Sequence, residues 1–446
     1  MPHERGASRG TLNPAPQAYA QGLRANLSLF VWQAQQVFLV GLLLGSERTV
    51  LPLLAARDFG VAPSSFLYLL SFVIVFGLVK GALNFVAGRL SERVGRKTVL
   101  VLGWCAALPV PWLIAFASSW WWIVAANLFL GINQGFAWSM TVTSKIDITR
   151  AEQRGLATGI NEFAGYAAVG LAGLATAWLA QRYGARPALF GFAGATIVLA
   201  LGTALLFVRE TLPWAHAERQ RRAAQTGATG RLDHADDLPE QPTSRQVFAF
   251  VSWRQPTFAA LCQAGVANKV ADTLLWVLFP LFLHARGMSL VQVGTVTGAY
   301  GLSWGASQLW TGPLSDRIGR KPPVIGGLWL LAAGIVAAVC VDSFGAWLLS
   351  ALVMGLGMAL LYPNLIAAVA DLAHPSWRSS ALGTYRYWRD TGYAIGALVL
   401  GVVAQARGAI APAFWLTAGW LLLSGVWLLL RARETHPAIA ARRALD

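Results

Sequence analysis

The sequence is poor in charged residues. Asp, Glu, Lys and Arg make up 12% of its 446 residues, against about 25% in ordinary soluble proteins. A soluble fold of this length needs more charge on its surface, so the shortage argues against an ordinary soluble protein. The hydrophobic share is 56%, and it comes in blocks of about 20 residues, the length that a helix needs to cross a bilayer. The composition predicts an all-α membrane protein.

Cysteine and histidine are also scarce, with three and six residues. The cysteines, Cys105, Cys262 and Cys340, lie in apolar runs without CxxC spacing, so we interpret them as small core residues. The sequence contains no G-x-x-x-x-G-K-[ST] and no H-E-x-x-H motif, which argues against ATP-driven transport and against a metallohydrolase. We expect no enzyme activity, no cofactor and no metal.

The formal net charge of +15 is unevenly distributed. About 25 of the 35 Lys and Arg residues fall in the two tails and in every second loop, with five in the opposite loops and five inside apolar runs. This positive-inside pattern predicts a multi-pass protein of the cell membrane with both termini cytoplasmic. A nucleic-acid-binding protein would gather its basic residues on one soluble face. We therefore expect lipid, a small-molecule substrate and protons as partners, no nucleic acid, and a monomer.

Twelve apolar runs, numbered here as spans one to twelve, predict twelve transmembrane helices in two pseudo-symmetric six-helix bundles. The runs are 30–56, 65–87, 98–117, 121–143, 156–180, 187–208, 257–283, 290–312, 323–341, 345–370, 380–405 and 410–430. The predicted domains are a cytoplasmic tail (1–28), an N-terminal bundle (29–208), a cytoplasmic linker (209–255), a C-terminal bundle (256–431) and a cytoplasmic tail (432–446). The basic part of the linker suggests a surface helix on anionic lipid.

The two halves of the sequence repeat each other. A shift of 224 positions places Lys80–Lys97 on Trp304–Lys321 without a gap, and nine of these 18 pairs are identical. A single shift that also aligns other charged residues indicates two homologous six-span units, which are parallel because six is even. The further aligned pairs are Asp147 with Asp371 and Arg154 with Arg378.

Each repeat centres on a charged loop that reads G-x-L-S-[DE]-R-x-G-R-K, at Gly88–Lys97 and Gly312–Lys321. The first glycine lets two helices approach closely at the membrane boundary. The second glycine permits the tight reversal of a short loop. The acidic residue can face a helix N-terminus, where a negative charge is favoured by about 0.3–1 kcal/mol.

On this doubled loop the chain resembles transporters of the major facilitator superfamily, and the resemblance covers the whole chain. It implies two bundles around a central cavity that opens alternately to either side. It also implies a gating network on the cytoplasmic side, although the same residues could simply anchor the topology. The residues of this predicted network are Gly88, Glu92, Arg93, Gly95, Arg96, Lys97, Asp147, Arg154, Gly312, Asp316, Arg317, Gly319, Arg320, Lys321, Asp371 and Arg378.

Two departures from the proton antiporters of that superfamily argue against carrying over drug–proton antiport. Those proteins often have R-x-x-Q-G in span four, where this chain has G-I-N-Q-G at Gly131–Gly135. They also have G-P in span five, where this chain has Gly165 followed by Tyr166. The substrate must therefore be inferred from other polar residues of the spans.

Charged residues inside spans are costly unless they are paired, and they are functional candidates by default. Five basic and four acidic residues fall there, so nearly complete mutual pairing is possible. They are Glu47, Arg48, Lys80, Glu162, Lys269, Asp272, Arg386, Arg389 and Asp390.

Span eleven has the densest group of these charges. Arg386 and Asp390 stand at i, i+4 spacing with Arg389 beside them, about 12–18 Å along the helix from Arg378. One hypothesis is that the two arginines bind a carboxylate or oxyanion through bidentate hydrogen bonds. The alternative is a structural Arg386–Asp390 pair, with Arg389 paired elsewhere.

Span seven supplies four further substrate-binding candidates. Asn268 and Lys269 stand at i, i+4 and i, i+3 spacing from Asp272, and Trp276 lies one turn further on. Lys80 of span two is expected to pair with a neighbouring helix rather than to contact substrate.

Span one supplies Glu47 and Arg48, whose depth the sequence leaves open. They lie near the outer surface if the span starts at Leu29, and near the middle if the preceding glutamines are interfacial. Glu162, about 12 Å into span five, is the candidate proton carrier because burial disfavours the charged form of a carboxyl. Asp272 and Asp390 compete for that role, but an adjacent Arg or Lys opposes it.

The sequence thus predicts a secondary active transporter that moves a small solute by alternating access, coupled to protons, with export preferred over uptake. One alternative is a proton-coupled uptake symporter of a small organic or inorganic anion. Another is a non-transporting membrane receptor on the same scaffold, since a fold does not fix a function.

Overall fold

The computed structural model describes residues 19–60, 66–229, 238 and 242–443. Among these residues there is no strand, and long helices follow the twelve predicted runs in order. The helices of spans one to twelve are Leu27–Phe59, Phe66–Val94, Arg96–Ala107 with Pro109–Ala115, Trp120–Asn133 with Ser139–Ile148, Arg154–Tyr183, Ala185–Leu206, Pro256–Thr273 with Phe279–Ala285, Leu290–Ile318, Lys321–Cys340, Phe344–Leu372, Arg378–Arg407 and Ala411–Arg431. Leu212–Thr229 and Ser244–Ala249 are helices of the linker.

Nine helical segments of the described chain are long and apolar enough to cross a membrane. Spans four, eight and eleven fall outside that group. Span eleven carries three charged residues in its first half, Arg386, Arg389 and Asp390, all buried. The helix is polar because it packs between other helices, against spans two and seven. The architecture is the predicted one, with twelve transmembrane helices in two pseudo-symmetric six-helix bundles.

The two bundles contact each other mainly through span two against span eleven and span five against span eight. Both contacts are closest at the end of the molecule that carries the two repeated loops, which we call the loop face. There, a Cβ added at Gly312 would collide with the Gly155 carbonyl oxygen. Gly88 lies equally close to the backbone of Ser379. The loop face is therefore closed, with helix backbones in contact across the bundle interface.

One prediction about side-chain surroundings is wrong. Cys262 is buried, but Cys105 and Cys340 are exposed on the outside of the helices and are not core residues. The linker helix Leu212–Thr229 also contacts the protein, and its contact with lipid stays a prediction. Trp214 packs with Ile148 and Ala157 of the N-terminal bundle, because this helix has an apolar strip that the bundle covers.

Candidate functional site

Seven of the nine charged residues of the spans meet between the two bundles, away from both ends of their helices. Glu162 lies about 12 Å from the start of span five and Asp390 about 18 Å from the start of span eleven. Seven of these side chains belong to residues that are at most 4% exposed: Lys80, Glu162, Lys269, Asp272, Arg386, Arg389 and Asp390. We call this group, with Lys145, the central cluster.

Asp390 accepts hydrogen bonds from both bundles. Arg389 binds it with two, from Nε to Oδ1 at 2.6 Å and from Nη2 to Oδ2 at 2.8 Å. From the N-terminal bundle, Asn84 Nδ2 donates to Oδ2 at 2.7 Å and Lys80 Nζ lies 3.8 Å away. Lys80 thus faces a neighbouring helix, in the arrangement expected for it.

The proposed Arg386–Asp390 pair does not form. The Tyr362 ring lies 4.8 Å from the guanidinium of Arg389 and holds it beside Asp390. Arg386 turns instead toward span four, where its Nη1 lies 3.5 Å from the Trp138 carbonyl oxygen. Its Nε and Nη2 have no hydrogen-bond partner among the described residues. Arg386 therefore keeps two free donors, more than Arg389, of which only Nη1 has no partner among the described residues. Such donors suit an anion.

Glu162 lies in a polar pocket that includes a cation. Its Oε1 accepts hydrogen bonds from Trp138 Nε1 at 3.1 Å and from Asn161 Nδ2 at 2.9 Å. Its Oε2 has no partner in the described part of the chain. Lys145 Nζ donates to Asn161 Oδ1 at 2.6 Å. Glu162 therefore has a basic neighbour, as Asp272 and Asp390 do. The predicted span four ends at residue 143, whereas the helix continues to Ile148 and Lys145 is fully buried.

Lys269 of span seven lies among aromatic rings. Its Nζ bonds Asp272 Oδ2 at 2.8 Å, and the Tyr393 hydroxyl donates to the same oxygen at 2.6 Å. The ammonium lies 4.6 Å from the Tyr362 ring and 5.3 Å from that of Trp304. Such cation–π contacts stabilise a buried charge.

Asn268 does not join this group through Asp272. Its Nδ2 lies 3.0 Å from Met358 Sδ, which is on a different helix, span ten. The i, i+4 spacing did not lead to an Asn268–Asp272 hydrogen bond, because Lys269 and Tyr393 already bond the Asp272 carboxylate.

Glu47 lies apart from the central cluster, in the half of the membrane away from the loop face. Its Oε2 accepts from Asn127 Nδ2 at 3.0 Å, and Asn127 is about 10 Å from the end of span four that lies away from the loop face. A cavity of about 10 Å³ separates Glu47 from Trp276 of the other bundle, enough for about one water molecule. The Arg48 side chain lies outside the described residues.

The central cluster has a formal excess of positive charge. Five basic side chains face three acidic ones, which leaves two positive charges uncompensated by the protein. The basic members are Lys80, Lys145, Lys269, Arg386 and Arg389, and the acidic members are Glu162, Asp272 and Asp390. An uncompensated charge is expensive in a low-dielectric interior, so an anion is the ligand that this arrangement suits.

At the loop face, the acidic residue of each repeated loop caps a helix of the opposite bundle. Glu92 accepts from the backbone N–H of Ser380 at 2.8 Å. Asp316 accepts from the N–H groups of Gly155 and Leu156, both at 3.0 Å. A carboxylate at a helix N-terminus is stabilising, so these caps hold the two bundles together.

Arginine–carboxylate pairs surround these caps. Arg96 bonds Asp147 at 3.0 Å and Arg320 bonds Asp371 at 2.9 Å, each within one bundle. Arg154 bonds Asp371 at 2.9 Å across the bundle interface. Burial tends to lower the pKa of Arg320, but Asp371 and Asp316 more than offset this and raise it above its ordinary value, so Arg320 keeps its charge.

Two members of the predicted network lie outside this cluster of pairs. Arg93 and Arg317 are exposed on the surface of the loop face. Lys97 and Lys321 lie at the edge of the loop face. Lys97 Nζ donates to the Leu205 carbonyl oxygen, and Lys321 Nζ donates to that of Leu429. Their positions follow from the helix period, which turns the first arginine of each loop away from the interface.

Two glutamates that the sequence analysis missed complete the loops. Gly95 and Gly319 have φ angles of 94° and 100°, which few other residues adopt. Glu210 accepts from the N–H groups of the two residues after Gly95, and Glu434 does the same after Gly319. Both lie in an Arg-Glu-Thr triplet, at 209–211 and 433–435, related by the same shift of 224. That repeat was the signal that could have revealed them.

The family model described as the Major Facilitator Superfamily matches residues 37–271 and again residues 261–445. The inner membrane transport protein YajR of Escherichia coli (strain K12) is 33% identical over 145 residues, 32% of this chain and 31% of that relative. The multidrug resistance protein MdtH of Yersinia enterocolitica is 32% identical over 191 residues, 38% of this chain and 46% of that relative. Each of these two alignments covers less than half of the relative's length.

A similar fold occurs in the crystal structure of the human organic anion transporter MFSD10 (TETRAN). The TM-score is 0.71 at 20% sequence identity, over 90% of this chain and 99% of that one. At this identity the similarity concerns the fold alone.

Proposed function

The chain belongs to the Major Facilitator Superfamily, and we propose that it carries a small anionic solute across the cell membrane by alternating access, together with protons. As a member of that family it is a transporter rather than an enzyme. One observation supports an anion above other substrates. Among the described residues, Arg386 is 1% exposed, has no carboxylate partner and belongs to a cluster with two uncompensated positive charges.

Glu162 supports coupling to protons. It lies near enough to Arg386 for the two charges to interact, and its Oε2 is free to take a proton. A proton on Glu162 removes a negative charge beside the proposed anion site, so it strengthens anion binding. The anion, by the reciprocity of linkage, strengthens proton binding. Binding of this kind favours symport, which an inward proton gradient drives as uptake. We therefore propose uptake here, although the sequence analysis preferred export.

Export of an aromatic or cationic organic solute is the second candidate. The rings of Tyr362, Tyr393 and Trp304 surround the ammonium of Lys269 at 4.6–5.3 Å, and a cage of this type also binds organic cations. The similarity to a multidrug resistance protein over 38% of the chain agrees with this candidate.

Proteoliposomes containing a pH-sensitive dye distinguish the two candidates. The probes are a short monocarboxylate, a dicarboxylate, inorganic phosphate, a neutral sugar and tetraphenylphosphonium, each added outside. We expect at least one anion to acidify the lumen as it enters. Proton movement opposite to that of tetraphenylphosphonium, with none for the anions, would establish export by antiport instead. Binding of a probe without flux would favour a receptor.

A further inference from the structure

The ion pairs at the loop face repeat between the two halves, except at Arg378. Arg154 bonds Asp371, with Nη1 and Oδ1 2.9 Å apart. The shift of 224 relates this pair to Arg378 and Asp147. These two residues interact electrostatically, but no hydrogen bond joins them.

Arg378 binds the linker instead. Its Nη1 and Nη2 lie 2.8 and 2.7 Å from the two carboxylate oxygens of Glu218, which is on the linker helix Leu212–Thr229. Oε1 of Glu218 is also 3.1 Å from Arg154 Nη2. One carboxylate from the linker therefore bonds an arginine of each bundle, and it is only 6% exposed.

Asp147 is left with an open position. Its Oδ2 accepts from Arg96 at 3.0 Å, while its Oδ1 has no hydrogen-bond partner in the described residues although the residue is 1% exposed. A buried carboxylate oxygen without a partner is costly. The oxygen is the one that Arg378 would bind if the two halves were equivalent.

We propose that Glu218 is a gating residue of the linker, which takes Arg378 from Asp147 and thereby holds both bundles closed at the loop face. When the bundles separate, Arg154 and Arg378 move apart and Glu218 can follow only one of them. The linker helix must then leave one bundle, and Arg378 can bind Asp147. Docking of the linker thus sets the balance between the closed and open loop face.

The N-terminal segment strengthens this docking. Gln21 Nε2 donates to Glu218 Oε2 at 2.9 Å, and Arg221 Nη2 donates to the Tyr19 carbonyl oxygen at 2.6 Å. The Tyr19 and Trp214 rings pack edge to face with centroids 5.0 Å apart. The linker helix is therefore held by the N-terminal segment as well as by the two arginines.

Spin labels at the exposed positions of Arg93 and Arg317, one in each bundle, can measure the opening of the loop face in a variant without the three native cysteines. We expect Glu218→Gln to increase the population with long distances about tenfold, because the closed state loses its charge-assisted bonds to two buried arginines. The matched control is Glu152→Gln, which neutralises an exposed carboxylate on the same face. Equal distance distributions in the two variants would overturn the proposal.

A second variant tests the exchange of Arg378 between two carboxylates. Asp147→Asn alone should decrease the open population, because the open state then lacks the carboxylate that receives Arg378. The decrease should be smaller in the Glu218→Gln background, where Arg378 can bind Asp147 in the closed state as well. Additive effects would show that Arg378 does not transfer to Asp147 and would reject that step. Glu218→Asp, which keeps the charge, should restore part of the closed population, whereas a variant that only misfolds would not be rescued. These distances are independent of the transported solute, so failure of the anion proposal leaves the test intact.

Discussion

At the scale of single residues, Arg386 and Arg389 lie side by side in one helix but have different surroundings. Arg389 binds Asp390 through two hydrogen bonds, whereas Arg386 has one long contact within the described structure, with the Trp138 carbonyl oxygen. When one partner of a buried ion pair is removed, the other charge stays buried without compensation, which is destabilising. Removing a charge that has no partner leaves no such charge behind, so mutation can distinguish the two arginines.

We expect Arg386→Ala to fold and to lose anion binding by about 10- to 100-fold, since a hydrogen bond to a charged group contributes about 1.5–3 kcal/mol. The measurement is the concentration of anion that stabilises the purified protein against heat. Arg407→Ala, at the exposed end of the same helix, is the control. Unchanged anion affinity in Arg386→Ala would remove this residue from the site.

Arg389→Ala should act on stability instead. It leaves Asp390 with only Asn84 and Lys80, which should cost about 3–5 kcal/mol of unfolding free energy. Thermal unfolding without ligand measures this loss. The double variant Arg389→Ala with Asp390→Ala should recover much of it, and a double variant as unstable as the single one would contradict the pairing.

Glu162→Gln should abolish proton movement while leaving solute exchange, because glutamine keeps the hydrogen bonds of Oε1 but cannot bind a proton. Solute-driven acidification of liposomes and counterflow measure the two activities. Asp390→Asn serves for comparison and should impair both, since Asp390 holds the bundles together. If Glu162→Gln acidified the lumen normally, another residue would carry the proton.

Sequence reasoning found most of the charged residues of the centre but few of their partners. The i, i+3 spacing of Lys269 and Asp272 corresponds to a real bond, since both lie on one helix with no stronger competitor. The pairing of Arg389 could not be predicted, because the Tyr362 ring that orients it comes from span ten. Lys145 was assigned to a loop because the apolar run ends two residues before it, whereas the helix continues to Ile148.

At the scale of helices, the bundle interface depends on glycine pairs. Gly312 and Gly155 bring spans eight and five into backbone contact, and a side chain at either position forces them apart. The sequence repeat correctly indicated close approach at the first glycine of each loop. It did not indicate the π-helical turns Gln134–Trp138 and Leu274–Leu278, which turn Trp138 and Trp276 toward the bundle interface and follow no residue pattern.

Gly312→Ala should destabilise the closed loop face by about 1–3 kcal/mol, the usual cost of overpacking. The spin-label pair at positions 93 and 317 should then show a larger open population. Gly305→Ala on the same helix is the control, since a Cβ there has open space within 4 Å. Identical distance distributions for the two variants would show that this contact does not limit closure.

At the scale of the whole molecule, the twelve-helix fold could be predicted from composition, periodicity and the doubled loop. The orientation in the membrane and the domain boundaries stay predictions. In intact cells, an impermeant maleimide should label a single cysteine at Arg186 but not one at Arg93, which should react only after permeabilisation. Arg93 is exposed and Arg186 is partly exposed, and the reverse pattern would place the loop face outside.

The paired Arg-Glu-Thr triplets show that each half supplies the glutamate that binds the backbone of its own repeated loop. Two identical copies of such a half would form a symmetric dimer. In that dimer residues 154 and 378 would be equivalent, and neither could be bound differently from the other. The linker that carries Glu218 occurs once between the two halves, and it gives the molecule a direction along its own sequence that a symmetric dimer cannot have.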